Sequence, residues 1–171
     1  VKGVAILSYA HKVKSDDQWL YLPALKRVKR IASKNKSGPF LGSEFSFEDF
    51  SFQEVEKYEY SFTGEEACKD SMCFVIERRP LDLYSGYTKQ LVWIDKENYL
   101  VQKIYHYDRK SFHLKTQTFE DYRLYQDFFW QPQKIKMINH QNGKSSILLF
   151  EDVRLNTGFT DKDFSQNSLR R

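Results

Sequence analysis

Cysteine, proline and glycine are scarce in this chain, at two, four and seven residues among 171, which excludes collagenous and low-complexity classes. Apolar runs are short. The longest, Met72 to Ile76, has five residues, against the roughly 20 a bilayer-spanning helix requires, so no helix here crosses a membrane. The chain opens at Val1 with no basic n-region or apolar h-region, so any targeting segment has been removed or lies outside it. Catalytic signatures are also missing: the sequence has no G-x-S-x-G, no phosphate-cradling glycine loop and no H-E-x-x-H. His11, His106, His113 and His140 fall in or beside different expected strands, none at metal-ligand spacing with a Cys, Asp or Glu. Glu120 and Asp121 are neighbours on an expected strand and so point to opposite faces. We therefore expect no enzyme, no metal and no cofactor.

What the chain has is aromatic mass. Fourteen Phe, eleven Tyr and three Trp accompany a hydrophobic fraction of 40%. A chain of this length fits one domain, 1–171, that buries about 70% of its unfolded surface. Charge is mildly basic, 27 against 23 for a net +4, which permits phosphate-bearing partners without establishing them.

Period-2 patterning with β-branched and aromatic residues dominates. We read strands at Val4–Ala10, Trp19–Leu22, Val28–Ile31, Val55–Thr63, Met72–Arg79, Tyr87–Asp95, Leu100–Tyr107, Leu114–Leu124, Gln133–His140 and Ser145–Leu155. Asp95–Asn98, Asp108–Ser111 and Asn142-Gly143 read as hairpin turns, the last most strongly. Helical material is limited to short turns within Glu44–Gln53, Pro80–Tyr84 and Thr160–Leu169. The 32–43 stretch is the longest loop, readable as a lid or as plain disorder. The expected architecture is mainly β, an antiparallel meander curling into an incomplete barrel.

Several strands are apolar on both faces. Leu91 and Trp93 oppose Val92 and Ile94; Ile147 and Leu149 oppose Leu148 and Phe150. A sheet covered on one side only alternates cleanly, so missing sequence, a ligand or a second chain must cover the other side. Cys68 and Cys73 flank a turn containing Lys69, Asp70 and Ser71. A bridge there would mark an oxidising compartment, whereas two free thiols in a cytosolic hairpin satisfy the same spacing. The densest charge feature is Lys26, Arg27, Lys29, Arg30, Lys34 and Lys36, with no acid among them. It reads as a docking surface for anionic head groups or an acidic partner, or as a solvated edge strand protected from aggregation. Nucleic acid is disfavoured, because the remaining charge is nearly balanced and no RNA-recognition strand signature is present.

The run Asp17-Gln-Trp-Leu-Tyr-Leu-Pro-Ala-Leu-Lys-Arg-Val-Lys-Arg-Ile31 closely resembles the signature of bacterial outer-membrane lipoprotein-sorting proteins, relatives of the carrier LolA. Further segments agree in the same order: Ser37–Phe45, Phe47–Phe50, Gly86–Asp95, Tyr107–Arg109, Lys115–Tyr122, Trp130–Pro132 and Asn139–Lys144. The resemblance implies a half-open, strongly curved, LolA/LolB-like β-barrel with a lid, holding acyl chains of lipoproteins or lipids in the periplasm of a Gram-negative bacterium. Family members look longer at the N-terminus, with a signal peptide, a helix and early strands, so the resemblance also implies a trimmed domain. Such a domain would expose its groove and either form a homodimer or bind hydrophobic dye more than the longer form. The family's lid-locking arginine has no assignable position here.

Candidate groove residues are Trp19, Tyr21, Phe74, Ile76, Leu91, Trp93, Phe119, Leu148 and Phe150, where stiff aromatic and aliphatic faces suit a hydrocarbon chain. A register error of one residue would move any of them to the opposite face. The basic run becomes a candidate contact for the membrane periphery or an inner-membrane transporter. The alternative function is a cell-envelope interaction module that uses the same groove for a polypeptide.

Overall fold

A computed structural model describes residues 2–69 and 71–170. Asp70, in the expected turn between the cysteines, lies outside the described residues, as does Val1. Ten strands form: β1 Ala5–Tyr9, β2 Asp17–Leu22, β3 Arg27–Ile31, β4 Tyr58–Cys68, β5 Ser71–Pro80, β6 Tyr87–Asp95, β7 Val101–Asp108, β8 His113–Tyr125, β9 Phe129–Asn139 and β10 Ser145–Leu149. All pairings are antiparallel between sequence neighbours, but they divide into two sheets, β1-β2-β3 and β10-β9-β8-β7-β6-β5-β4. The larger sheet is open, with β4 and β10 at its edges, and does not close into a barrel. Four register shifts, at Phe62/Gly64, Tyr87/Lys89, Trp93/Ile94 and His106/Tyr107, interrupt its ladder between β4 and β8. Such bulges bend strands and increase their twist.

The turns follow the chemistry expected of them. Asp95 Oδ1 accepts from the backbone of Glu97 and Asn98, and Asp108 Oδ1 from Lys110 and Phe112. Gly143 takes φ +72°, which costs a glycine little, and closes β9 to β10. Two expected strands have other bounds than the pattern suggested, β4 starting later and running on to Cys68. Val55–Lys57 forms a 3-10 turn ahead of β4, and β10 stops at Leu149. Left-handed Asp152 and Asn156, at φ 51° and 57°, carry the chain out of the extended conformation beyond it. At the C-terminus, Asp161–Phe164 and Ser168–Arg170 are 3-10 turns, the first opened by a Thr160/Asp163 capping box.

In the small sheet, Gln18, Leu20 and Ile31 are buried on one face. There the Gln18 amide donates to Phe47 O at 3.1 Å, joining this sheet to the 32–57 connection. On its other face Leu7, Trp19 and Leu169 form a core, with Tyr21 packed against it.

Candidate functional site

Register aligns the side chains of the seven-stranded sheet into rows on one face. The first row is polar throughout: Tyr60, Arg78, Gln90, His106, Lys115 and Asn139. The next is Phe62, Ile76, Val92, Ile104, Gln117, Met137 and Ser146. Beyond it come Phe74, Ile94 and Val101 on one side and Phe119, Ile135 and Leu148 on the other. One face therefore changes from hydrogen-bonding to hydrocarbon within two residue pairs.

The polar end is a connected chain of bonds. Arg78 Nε donates to Gln90 Oε1 at 2.6 Å, Gln90 Nε2 meets His106 Nδ1 at 2.9 Å, and His106 Nε2 meets Gln117 Oε1 at 3.2 Å. Because the Gln90 oxygen is taken by Arg78, its amide must donate to Nδ1. That fixes a neutral His106 carrying its proton on Nε2. Burial pushes the His106 pKa down to about 4, since the charged form would lose its water and sit near Arg78 and Lys115. Arg78 is itself buried, lies 4.8 Å from the centre of the Tyr58 ring, and is held below its ordinary pKa by desolvation.

A strap across residues 39–53 is fastened to this end. Ser46 and Asp49 form a capping box around the Phe47–Phe50 turn. The buried Tyr87 hydroxyl donates to Asp49 Oδ1 at 2.8 Å and lies 3.2 Å from Ser46 Oγ. Glu48 accepts from Ser85 Oγ at 2.8 Å and from Gly86 N at 2.9 Å, and burial raises its pKa to about 7. Gly86 is required there, because a Cβ would come within 2.8 Å of the Ser37 Cβ and of Glu48 Oε1. Asn139 donates to Glu44 Oε2 at 2.7 Å, and Arg78 Nη1 donates to Gln53 Oε1. Beside the strap, a cavity of about 60 Å³ is lined by Asp16, Lys36, Glu48, Lys57 and Tyr58 among others.

Glu44 N donates to Ser146 Oγ at 3.0 Å, and beyond that bond no hydrogen bond among the described residues ties the strap to the apolar end. Val92 and Ile104 are buried, Phe62 is 63% exposed, and Phe74, Ile76, Ile94, Phe119, Ile135 and Leu148 are half-buried. These side chains present hydrocarbon with no polar group to anchor a cover.

The nine candidate groove residues do not converge. Phe74, Ile76, Phe119 and Leu148 share the face that carries the apolar rows, and Phe150 continues from β10, its N–H donating to Gln133 O at 2.9 Å. Leu91 and Trp93 lie on the opposite face of the same sheet. Trp93 there is buried with Cys73 and Val75, donates Nε1 to Glu66 Oε2 at 2.9 Å, and carries the Lys103 ammonium 3.9 Å above its ring. Trp19 and Tyr21 belong to the small sheet. Phe62, Val92, Ile94, Ile104 and Ile135 lie on that same face without having been singled out from the sequence.

Of the basic run, Lys26, Arg27 and Lys29 are exposed, and Lys34 lies in the 3-10 turn that follows β3. Arg30 is exposed but pairs with Asp17. Lys36 is a correction to the expected docking set: it is buried, its Nζ donates to Asp16 O, and desolvation lowers its pKa. Cys68 and Cys73 are bridged, with Cα atoms 5.8 Å apart. Among the described residues no group of three or more His, Cys, Asp or Glu is placed to hold a metal.

Several polar-end residues sit inside the segments that carried the sequence resemblance: Glu48, Asp49, Gly86, Gln90, Lys115, Gln117 and Asn139. That coincidence was the available signal for them.

A family model whose description reads "Uncharacterized protein" matches residues 1–171. No curated protein matches the chain. Among solved structures, a Vibrio parahaemolyticus domain assigned to outer membrane lipoprotein sorting is similar at 51% identity and a TM-score of 0.97, covering 100% of this chain and 73% of that one. A DUF1329 family protein from Desulfovibrio piger follows at 26% identity and TM-score 0.92, over 99% of this chain and 72% of that one. A LolA superfamily protein from Nitrosomonas europaea shares the fold, with 23% identity, a TM-score of 0.70, and coverage of 89% of this chain and 67% of that one. An open, mainly antiparallel β architecture together with the 51% identity across its whole length shows that this chain belongs to the outer-membrane lipoprotein-sorting protein family.

Proposed function

We propose that the chain is a non-enzymatic periplasmic carrier that seats an acyl chain of a lipoprotein or lipid along the apolar end of the large sheet. The observation that supports this most is the change of character within one face, where a hydrogen-bonded strap fastens the polar row while the outer apolar row of Phe74, Ile94, Phe119, Ile135 and Leu148 stays only half-buried. The description of the Vibrio relative and the LolA-like fold point the same way. So does the Cys68–Cys73 bridge, which suits an oxidising compartment.

Carriage needs no catalytic group. Burial contributes about 0.8 kcal/mol per methylene, so about eight buried methylenes supply roughly 6 kcal/mol before the cost of association. That is enough to hold a chain and weak enough to hand it on. The exposed Lys26, Arg27 and Lys29 would offer a surface to anionic head groups or to a transport partner.

Titration of the protein with a fluorescent fatty acid tests the proposal. Saturable one-to-one binding is expected, weakened about tenfold or more by Phe119→Asp or Ile94→Asp. Absence of binding, together with lipid-free material on mass spectrometry, would contradict it and favour a polypeptide ligand in the trough.

A further inference from the structure

The two edges of the large sheet are built in opposite ways. Strand β4 carries Glu59, Glu65 and Glu66 and is broken by the bulge at Phe62/Gly64, with Gly64 at φ +143°. Charges and bulges are the devices that keep edge strands from pairing with other chains. Strand β10, Ser145–Leu149, has neither charge nor proline and pairs with β9 in unbroken register from Ser145↔Ile138 to Leu149↔Lys134. Ile147 and Leu149 are 53% and 59% exposed. After Leu149 the chain stays beside β9 at Phe150, whose N–H donates to Gln133 O, and on the sheet face Glu44 N donates to Ser146 Oγ. Among the described residues β10 has no strand partner other than β9.

We propose that β10 is a dimer seam, pairing antiparallel with β10 of a second copy about a two-fold axis at Ile147. Charge and symmetry select that occupant. Self-pairing sets Ser145 against the partner's Leu149, Ser146 against the partner's Leu148 and Ile147 against its own copy, so no charge meets a like charge. Pairing of β10 with β4 of another copy would be head-to-tail and would propagate into an open array. It would also set the glutamates of a bulged strand beside Ile and Leu, at a desolvation cost that self-pairing avoids.

The axis falls between the row holding Ser146 and the row holding Leu148. The apolar rows of the two sheets therefore meet at the seam, and the two polar ends lie on opposite sides of one continuous hydrocarbon strip. This consequence rests on the acyl-chain reading given above, whereas the seam itself does not.

Sedimentation equilibrium across a dilution series tests the seam. The mass of the unsubstituted protein should rise from one chain toward two and stop there. Ile147→Lys, at an exposed position, should stay at one chain throughout, and Glu65→Lys on the opposite edge should follow the unsubstituted protein. Register is read by oxidation: Ile147→Cys should give a reducible dimer, Leu149→Cys alone should not, and Ser145→Cys combined with Leu149→Cys should. A single-chain mass at every concentration, growth past the dimer, or Ile147→Lys dimerising normally would overturn the proposal. Fatty-acid binding by monomeric Ile147→Lys would leave the carrier reading standing, and a dimer without fatty-acid binding would leave the seam standing.

Discussion

The two ends of one sheet face solve opposite problems. At the polar end, Arg78, Gln90, His106 and Gln117 are hydrogen-bonded in a chain across four strands, with Arg78 Nη2 left buried and unpaired, and a strap is pinned over them by Glu44, Ser46, Glu48, Asp49 and Gln53. At the other end Ile76, Ile94, Phe119, Ile135 and Leu148 offer only dispersion and the hydrophobic effect. Directional bonds in a buried setting specify one arrangement and penalise every other. Hydrocarbon contacts accept many arrangements at similar cost. Placing the two next to each other gives a rigid frame beside an adaptable surface.

This contrast predicts that stability is concentrated at one end and ligand affinity at the other. The largest expected effect is on stability: Arg78→Ala strands the oxygen of buried Gln90, releases Gln53 from the strap and opens a void, at a cost of about 3–5 kcal/mol in chemical denaturation. A loss below about 1 kcal/mol would mean that the polar row is decoration.

The second effect is pH dependence. The His106 pKa is lowered to about 4, so its contribution is fully present above its ordinary value of 6.5 and is lost as pH falls through 4. The full difference is worth about 3 kcal/mol. Glu48 behaves oppositely. Its pKa is raised to about 7 from 4.5, so its contribution is present at acid pH and is lost as pH rises through 7. In the overlap of the two ranges the slopes oppose each other. Denaturation midpoints of Glu48→Gln should rise with pH there, and those of His106→Gln should fall. Equal profiles for both variants would remove the assigned protonation states.

A smaller effect concerns affinity. Phe119→Ser should weaken fatty-acid binding about tenfold, equivalent to about 1.4 kcal/mol, with a modest stability loss because the ring is only half-buried. Smallest of all is Leu91→Ser on the opposite face, which should leave binding unchanged. Equal losses from Phe119→Ser and Leu91→Ser would mean that the two faces are not distinguished.

Strand positions were legible because period-2 alternation is a local signal, and the turn at Asn142-Gly143 carried its own conformational demand. The face of each side chain was not legible. In Leu91-Val92-Trp93-Ile94 both parities are apolar, so only pairing with β5 and β7 shows that Val92 and Ile94 share the face of Ile76 and Ile104 while Trp93 is clamped between Lys103 and Glu66. The polar row was hidden for the same reason. Arg78, Gln90 and His106 are unremarkable in their own strands and acquire meaning only beside partners 12 and 16 residues away. The division into two sheets was likewise invisible, since the 32–57 connection owes its path to Ser46, Asp49 and Gly86 rather than to any linker composition. Lys36 illustrates the limit of charge density as a signal, because its ammonium turns inward to the Asp16 carbonyl.

Photo-crosslinking with a fatty acid bearing a diazirine midway along its chain, followed by peptide mapping, tests the central claim most directly. The account predicts adducts on β5, β6, β8 and β9 at Ile76, Ile94, Phe119 and Ile135. Adducts confined to the Leu91 and Trp93 face or to the small sheet, or none above background, would contradict it.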